Sequence, residues 1–218
     1  MVDWMGRTVL SPQRLSEIKR TNIGRIIIFC EGKTEKYYFD YFAEIIRKNK
    51  YTDIEVILQT ASGNARAVLS CANKFMTEET HIQKYGTYGK YLAFDCDAPP
   101  DVQSVILEAE GYELLISNYL FETWLLMHFE DVEEKISKGE IYRRLAMHMG
   151  DPYIKGRKGK IREIIQKGEI EKAIDNAKKL EERYEAEGKN IFADIENMNP
   201  FTNVYKLTEQ FMAEISQP

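Results

Sequence analysis

The pattern of hydrophobic and polar positions divides the chain into two stretches of different character. Arg25 to Cys30 (Arg-Ile-Ile-Ile-Phe-Cys) is a short, nearly continuous apolar run rich in β-branched residues. That is the pattern of a central parallel strand buried on both faces. Immediately afterwards the period changes: Tyr37/Tyr38, Tyr41/Phe42 and Ile45/Ile46 recur every four residues and predict a helix. Ile54 to Leu58 predicts a second strand, and residues from about Asn64 to Met76 a second helix, opened by the turn signal Ala61-Ser62-Gly63. Tyr91 to Phe94 predicts a third strand ending at Asp95. Pro99 and Pro100 are read as closing the loop that follows, ahead of a helix from Val102 to Glu110. Leu114-Leu115-Ile116 predicts a fourth strand, ending at Ser117-Asn118. Strands and helices that alternate with crossover-length connections imply a parallel, Rossmann-like α/β sheet flanked by helices.

From about Glu130 the pattern is helical and charged, with apolar positions at Ile170, Ile174, Ala177 and Leu180 and then at Val204, Leu207 and Phe211. Gly150-Asp151-Pro152 and Asn199-Pro200 punctuate it. We therefore expect an N-terminal extension over residues 1–24, an α/β core over 25–130 and a helical C-terminal region over 131–218 packed on that core. The 218 residues suffice for one good core, or one core with a small appendage. A hydrophobic content of 44% and a charged content of 30% describe an ordinary globular protein. No apolar run approaches the length of a bilayer span, and Met1 to Arg20 lacks the continuous apolar stretch of a signal peptide. Cys30, Cys71 and Cys96 form no C-x-x-C pair, which reads as reduced thiols in a cytoplasmic protein.

The net charge of −5 argues against a protein that coats nucleic acid through overall attraction. It leaves room for a local basic groove, and the segment Tyr153 to Arg162 carries five cations with no acidic residue between them. Lys155, Arg157, Lys158 and Lys160 are its candidate contacts to a nucleic-acid backbone. A solvated surface loop is the more frequent meaning of such a run.

The candidate chemistry lies at strand ends. Open parallel sheets place ligands beyond the carboxyl ends of their strands. Glu31 directly follows the first strand, and Asp95-Cys96-Asp97 follows the third. In the D-x-D spacing, extended backbone points both aspartates to the same side. Carboxylates gathered in one place repel unless a cation neutralises them, and hard oxygen donors select Mg²⁺ or Mn²⁺. Taken singly, each acid has a plainer reading as a turn or helix-start residue; taken together, at the ends of two strands of one sheet, they favour a site. Gly32-Lys33-Thr34 matches the close of a nucleotide-binding P-loop, but the glycine needed five residues before Gly32 is Ile27, inside the strand. We reject that reading; Gly32 serves the tight strand-to-helix turn that exposes Glu31. Glu35, in the first helical turn, either answers the helix dipole or adds a metal ligand. Glu122 sits in a segment that is apolar almost all round, where a carboxylate is costly unless it is paired or metal-bound. His128 reads as a core or capping residue, while His81 and His148 look incidental.

Four motifs occur in order: Ile-Ile-Ile-Phe-Cys-Glu31-Gly32-Lys33-Thr34-Glu35-x-x-Tyr38-Phe39, Phe94-Asp95-x-Asp97, Ser117-Asn118-x-x-Phe121-Glu122-x-Trp124-Leu125-Leu126-x-His128-Phe129, and Asn199-Pro200-x-Thr202-x-Val204. From about Arg25 to Leu207 the chain resembles the RloB-like family. One departure stands out: the family's usual Ser-Asn-Pro-Cys-Phe-Glu reads Ser117-Asn118-Tyr119-Leu120-Phe121-Glu122 here. The resemblance implies a Toprim-like fold, because the family looks like a branch of the superfamily of topoisomerases, primases and OLD-type nucleases. There, a Glu after the first strand and a D-x-D after the third hold the catalytic metal, which maps onto Glu31, Asp95 and Asp97. The resemblance also implies association with restriction and phage-defence loci, often beside an ABC-type ATPase partner.

The expectation is thus a Mg²⁺- or Mn²⁺-dependent nuclease acting on DNA or RNA. Glu31, Asp95 and Asp97 bind the ion, Glu35 and Glu122 are further candidate ligands, and Lys33 offsets charge on the scissile phosphate or the leaving oxygen. The competing reading is a non-catalytic sensor or interaction module that regulates a partner ATPase through its charged C-terminal helices. Nucleotidyl transfer, as in primases, ranks last because no glycine loop cradles phosphates. A homo-oligomer remains open.

Overall fold

A computed structural model describes residues 23–49, 54–58, 63–97 and 99–216. The expected N-terminal extension up to residue 22, and Ala61 and Ser62 of the expected turn, lie outside the described residues. A five-stranded sheet forms the centre, in the order β2-β1-β3-β4-β5. Its strands are β1 (Ile26–Cys30), β2 (Ile54–Leu58), β3 (Gly89–Asp95), β4 (Glu113–Asn118) and β5 (Phe201–Thr202). The first four run parallel, and β5 joins β4 antiparallel. The fold is therefore the expected mixed α/β sheet, mostly parallel and flanked by helices, with a helical C-terminal portion.

Burial explains why β1 reads as an unbroken apolar run. All five of its residues are buried, with alternate side chains entering opposite layers. Ile26, Ile28 and Cys30 point into one hydrophobic cluster, Ile27 and Phe29 into the other. The first layer holds α1 (Lys33–Asn49) and the C-terminal helices α5 (Phe121–Met127), α6 (Lys138–Met149), α7 (Lys158–Lys167), α8 (Ile170–Ala186) and α10 (Tyr205–Ser216). The second holds α2 (Ala65–Phe75), α3 (Glu79–Tyr85) and α4 (Pro99–Glu108), with the short α9 (Ile191–Asp194) beside them. Cys30 and Cys96 are thus thiols buried in opposite layers, while Cys71 is half-buried. No helix among the described residues is long and apolar enough to cross a membrane.

Several elements differ from the sequence expectation, each for a physical reason. On α1 the deeply buried stripe is Tyr38, Phe39, Phe42, Ala43 and Ile46, whereas Tyr37, Tyr41 and Ile45 are half-buried at its margin. The helix is rotated so that Phe39 and Ala43, not the first members of the aromatic pairs, face the sheet. Pro99 and Pro100 open α4 rather than close the preceding loop, in keeping with the tolerance of a helix's first turn for residues lacking an N–H. Asn64 caps α2 as its side chain accepts the Ala67 N–H at 2.8 Å. Helix α3 was not expected, being seven residues of mostly polar sequence (Glu-Thr-His-Ile-Gln-Lys-Tyr) that buries Tyr85 alone. Strand β5 was not expected either; two residues carry no period, and only pairing with β4 defines it.

The buried aromatic packing of the first layer centres on Tyr38 and Trp124. Tyr38 meets Phe42, Phe121, Trp124 and His128 edge-on or tilted, at ring separations of 5.2–6.1 Å. His128 bonds through Nδ1 to the Trp124 carbonyl at 2.9 Å and through Nε2 to the Tyr38 hydroxyl at 3.3 Å. The first bond makes Nδ1 the donor, so the neutral Nε2 accepts from tyrosine. Burial pushes the His128 pKa down to about 4, which fits the core role expected for it. The turn between α7 and α8 presses against this histidine. A Cβ on Gly168 would lie 2.6 Å from His128 Cβ and 2.9 Å from the Ile164 carbonyl oxygen. Neither atom is the free end of a flexible chain, so Gly168→Ala should lower stability by about 1–3 kcal/mol. Urea unfolding of the purified variant checks this.

Candidate functional site

The carboxyl ends of β1, β3 and β4 converge at one edge of the sheet. Parallel register aligns Cys30 with Ala93 and Asp95 with Ser117, and the Glu31 N–H donates to the Ala93 carbonyl at 2.9 Å. Glu31 is thereby brought beside Asp95, whose backbone N–H donates to Glu31 Oε2 at 3.1 Å. Two glycines make room for these acids. A Cβ on Gly32 would come within 2.7 Å of Glu35 Oε2, and a Cβ on Gly63 within 2.8 Å of Glu31 Cγ. Gly32 lies in the tight turn between β1 and α1, and its closest neighbour is the carboxylate of Glu35, folded back over that turn.

Asp95 is almost fully buried and its two oxygens have separate partners. Oδ1 accepts the Phe121 N–H at 2.7 Å, and Oδ2 meets Lys155 Nζ at 3.4 Å. Glu122, fully buried in the first turn of α5, accepts from the Tyr153 hydroxyl at 3.0 Å and the Thr34 hydroxyl at 3.3 Å, both at Oε1. Its Oε2 lies 3.5 Å from Lys155 Nζ. The Thr34 hydroxyl in turn accepts the Gly156 N–H at 3.2 Å. The loop between α6 and α7 is thus fastened to the start of α1 and to α5 through one polar network. Tyr142 adds an aromatic wall, 5.2 Å from Tyr153 between ring centres, and its buried hydroxyl has no hydrogen-bond partner.

The structure brings Glu31, Glu35, Asp95 and Glu122 into one electrostatic unit. Burial raises Glu35 to about 7; Lys155 pulls it down while Glu122 and Glu31 push it up. Burial likewise lifts Asp95 well above the usual carboxylate range, reinforced by Glu35 and opposed by Lys155. Glu31 is raised mainly by burial, against the Asp95 N–H, with Asp97 adding repulsion. Partial burial works against the Lys155 ammonium, but Asp95, Glu122 and Glu35 overcome it and hold the pKa above that of an ordinary lysine.

Asp97 does not share the depth of Asp95. Strand β3 ends at Asp95, Cys96 turns into the opposite core, and Asp97 stands exposed in the bend beyond. The D-x-D alternation requires extended backbone, which stops here at its first member. Lys33 is exposed at the start of α1, its Cβ against Gly156. The basic run is less free than its sequence implied. Lys158 pairs with Glu44 at 2.9 Å, Arg162 with the same carboxylate, and Lys160 with Asp151 and Glu163. Lys155 turns inward, and only Arg157 of the run has no described ion pair. The pairs of Lys158 and Arg162 with Glu44 are largely exposed and so contribute little to stability, whereas Lys160 is partly buried.

The donor set fits a divalent ion of the Mg²⁺ or Mn²⁺ class. It consists of carboxylate oxygens, and two of them, Glu35 Oε2 and Glu122 Oε2, are buried without a hydrogen bond. Burial first, and repulsion between the neighbouring carboxylates after it, raises the carboxyl pKa values of Glu31, Glu35 and Asp95 despite Lys155. Among the described residues, no three acidic, histidine or cysteine side chains already stand as a ready-made ligand set; Lys155 holds the position between Asp95 and Glu122. Sequence reasoning missed Thr34, Tyr142 and Tyr153 and gave Lys155 a different task. Thr34 enters there only through a P-loop pattern that is rejected, and Tyr153 merely heads a basic run.

The fold and this edge define a mostly parallel α/β protein with a buried carboxylate cluster where strand ends meet a helical C-terminal portion. The model of the RloB-like protein family matches residues 26–211, and the chain belongs to that family. No curated protein and no solved structure matches it.

The Glu35 carboxyl gives a pH signature in metal-free protein. Its folded pKa of about 7 lies above the ordinary 4.5, so its contribution is fully present below pH 4.5 and is lost as pH rises through 7. His128 acts in the opposite sense below its ordinary 6.5, because its folded pKa is lowered to about 4. The comparison that isolates Glu35 is Glu35→Gln, which should gain stability relative to wild type as pH rises from 4.5 to 7. Chemical denaturation across that range, with chelator present, reads the difference.

Proposed function

We propose that this protein is a divalent-metal-dependent nuclease, hydrolysing phosphodiester bonds in DNA or RNA as the effector of a phage-defence or restriction-associated system. The observation that carries the reading is the burial of Glu35 and Glu122 with one oxygen each left without a hydrogen bond, beside Asp95 and Glu31 at the carboxyl edge of the sheet. Buried carboxylates that repel one another and keep oxygens without a hydrogen-bond donor are an arrangement that favours a cation. Membership of the RloB-like family supports the same reading, and we extend it to a place in the Toprim superfamily beside the OLD-type nucleases.

In this proposal Glu31, Glu35, Asp95 and Glu122 hold the ion, with Asp97 at the mouth. The ion supplies Lewis-acid activation of water and stabilisation of the leaving oxygen. Thr34 and Tyr153 fix the Glu122 carboxylate by donating to one oxygen, which leaves the other to ligate. The Phe121 N–H does the same for Asp95. Lys33, exposed at the start of α1, offsets charge on the phosphate, and Arg157, Lys158 and Lys160 are the candidate backbone contacts. Mg²⁺ or Mn²⁺ is the proposed cofactor, nucleic acid the proposed substrate, and an ABC-type ATPase the proposed partner.

One observation favours a second reading. Lys155 already lies between Asp95 and Glu122, as it would in a non-catalytic Toprim-type sensor that regulates a partner ATPase. Calorimetric titration with Mn²⁺ separates the two, since the sensor needs no ion in this cluster.

The nuclease reading predicts Mg²⁺- or Mn²⁺-dependent cleavage of plasmid, single-stranded DNA or tRNA, assayed with and without the partner ATPase. Asp95→Ala should abolish it, and full residual activity in that variant would sink the mechanism. Mn²⁺ should also raise the melting temperature of the wild-type protein by mass action but leave Asp95→Asn close to its metal-free value. Differential scanning fluorimetry makes that comparison without depending on substrate choice.

A further inference from the structure

Lys155 is an unusual member of the site. It belongs to the loop joining α6 to α7, and the left-handed glycines Gly150 (φ +76) and Gly156 (φ +68) bracket that loop. The loop is held at two points: Tyr153 is buried and bonded to Glu122, and the Gly156 N–H is bonded to Thr34. Asp151, Pro152 and Ile154 are exposed. The Lys155 side chain remains 39% exposed although its ammonium lies 3.4 Å from Asp95 and 3.5 Å from Glu122. It therefore has carboxylate partners inside while part of its side chain reaches solvent. A divalent ion bound by Asp95 and Glu122 would be a second cation at the same oxygens, and two cations sharing those carboxylates repel.

We propose that Lys155 is a tethered placeholder: its ammonium neutralises Asp95 and Glu122 in the metal-free protein, and binding of a divalent ion expels it toward solvent. The inference rests on the proposed metal site and adds to it a competition between ion and side chain. The long, flexible lysine stem lets the ammonium leave while the backbone stays anchored near Tyr153. Its exit lies beside Lys33, whose Cβ packs against Gly156. Occupancy of the metal site would thus be coupled to the charge presented at its mouth. By reciprocity, what draws Lys155 outward favours the ion.

The test is Mn²⁺ titration of full-length wild type, Lys155→Met and Lys155→Arg by calorimetry, with folding checked by circular dichroism. Lys155→Met removes the competing charge and keeps much of the stem, so it should bind Mn²⁺ about fivefold tighter or more; Lys155→Arg should stay close to wild type. Equal or weaker binding by folded Lys155→Met overturns the proposal while leaving the metal site standing. Absence of Mn²⁺ binding in every protein overturns the metal site and the placeholder together. Should Lys155→Met fail to fold, chemical acetylation of the wild-type lysines read by mass spectrometry decides. Saturating Mn²⁺ should raise labelling of the Lys155 amine, and unchanged labelling with Mn²⁺ bound overturns the proposal.

Discussion

The rest of the structure turns on how negative charge is buried at the seam between the sheet and the C-terminal helices. Asp95 and Glu122 are almost wholly removed from water, which an isolated carboxylate does not tolerate. The molecule answers with donors drawn from every surrounding element: the Phe121 N–H on Asp95, the Thr34 and Tyr153 hydroxyls on Glu122, and the Lys155 ammonium on both. These donors come from α1, the start of α5 and the α6–α7 loop. Closing the site and docking the C-terminal portion on the sheet are therefore one event, and removal of a single donor leaves charge stranded inside.

Much of the architecture was legible because it rests on local pattern. The β-branched run at Ile26–Cys30 and the four-residue period after it reflect burial on two faces and on one stripe, and both translate directly into structure. Glu31, Asp95 and Glu122 were legible for a related reason: a carboxylate next to a strand end or within an apolar helix contradicts its surroundings. What could not be read was whatever depends on long-range pairing. Strand β5 exists because Phe201 and Thr202 meet Asn118 and Ser117, and nothing in a two-residue segment announces that. Tyr153 and Thr34 are ordinary residues until folding brings them to Glu122. The basic run was visible as a run, but the Glu44 carboxylate that takes Lys158 and Arg162 comes from the distant α1, while Asp151 and Glu163, close in sequence, take Lys160. The inward turn of Lys155 had no sequence signal apart from the glycine that follows it.

The division of labour between the two layers is also clear. The layer built by α2, α3 and α4 contains apolar and aromatic packing behind Ile27, Phe29 and Phe94, and it supplies the acids with little beyond the Gly63 approach to Glu31. The other layer carries the aromatic cluster around Tyr38 and Trp124 and, just above it, nearly all of the polar network. A rigid aromatic base beneath a charged site fixes the rotamers of the acidic side chains, which is how carboxylates keep their aim against mutual repulsion.

Asn203 gives the sheet a property of another kind. Its side-chain amide accepts the Ile116 N–H at 2.7 Å and donates to the Leu114 carbonyl at 2.8 Å, so one residue imitates the donor and acceptor of an extra strand. With Phe201 and Thr202 paired just beyond, the outward-facing backbone of β4 is occupied along much of its length. An uncovered strand edge is a template for addition of a foreign chain. In this protein that flank is sealed by an amide and two residues of backbone, which protects the molecule from self-assembly through β4.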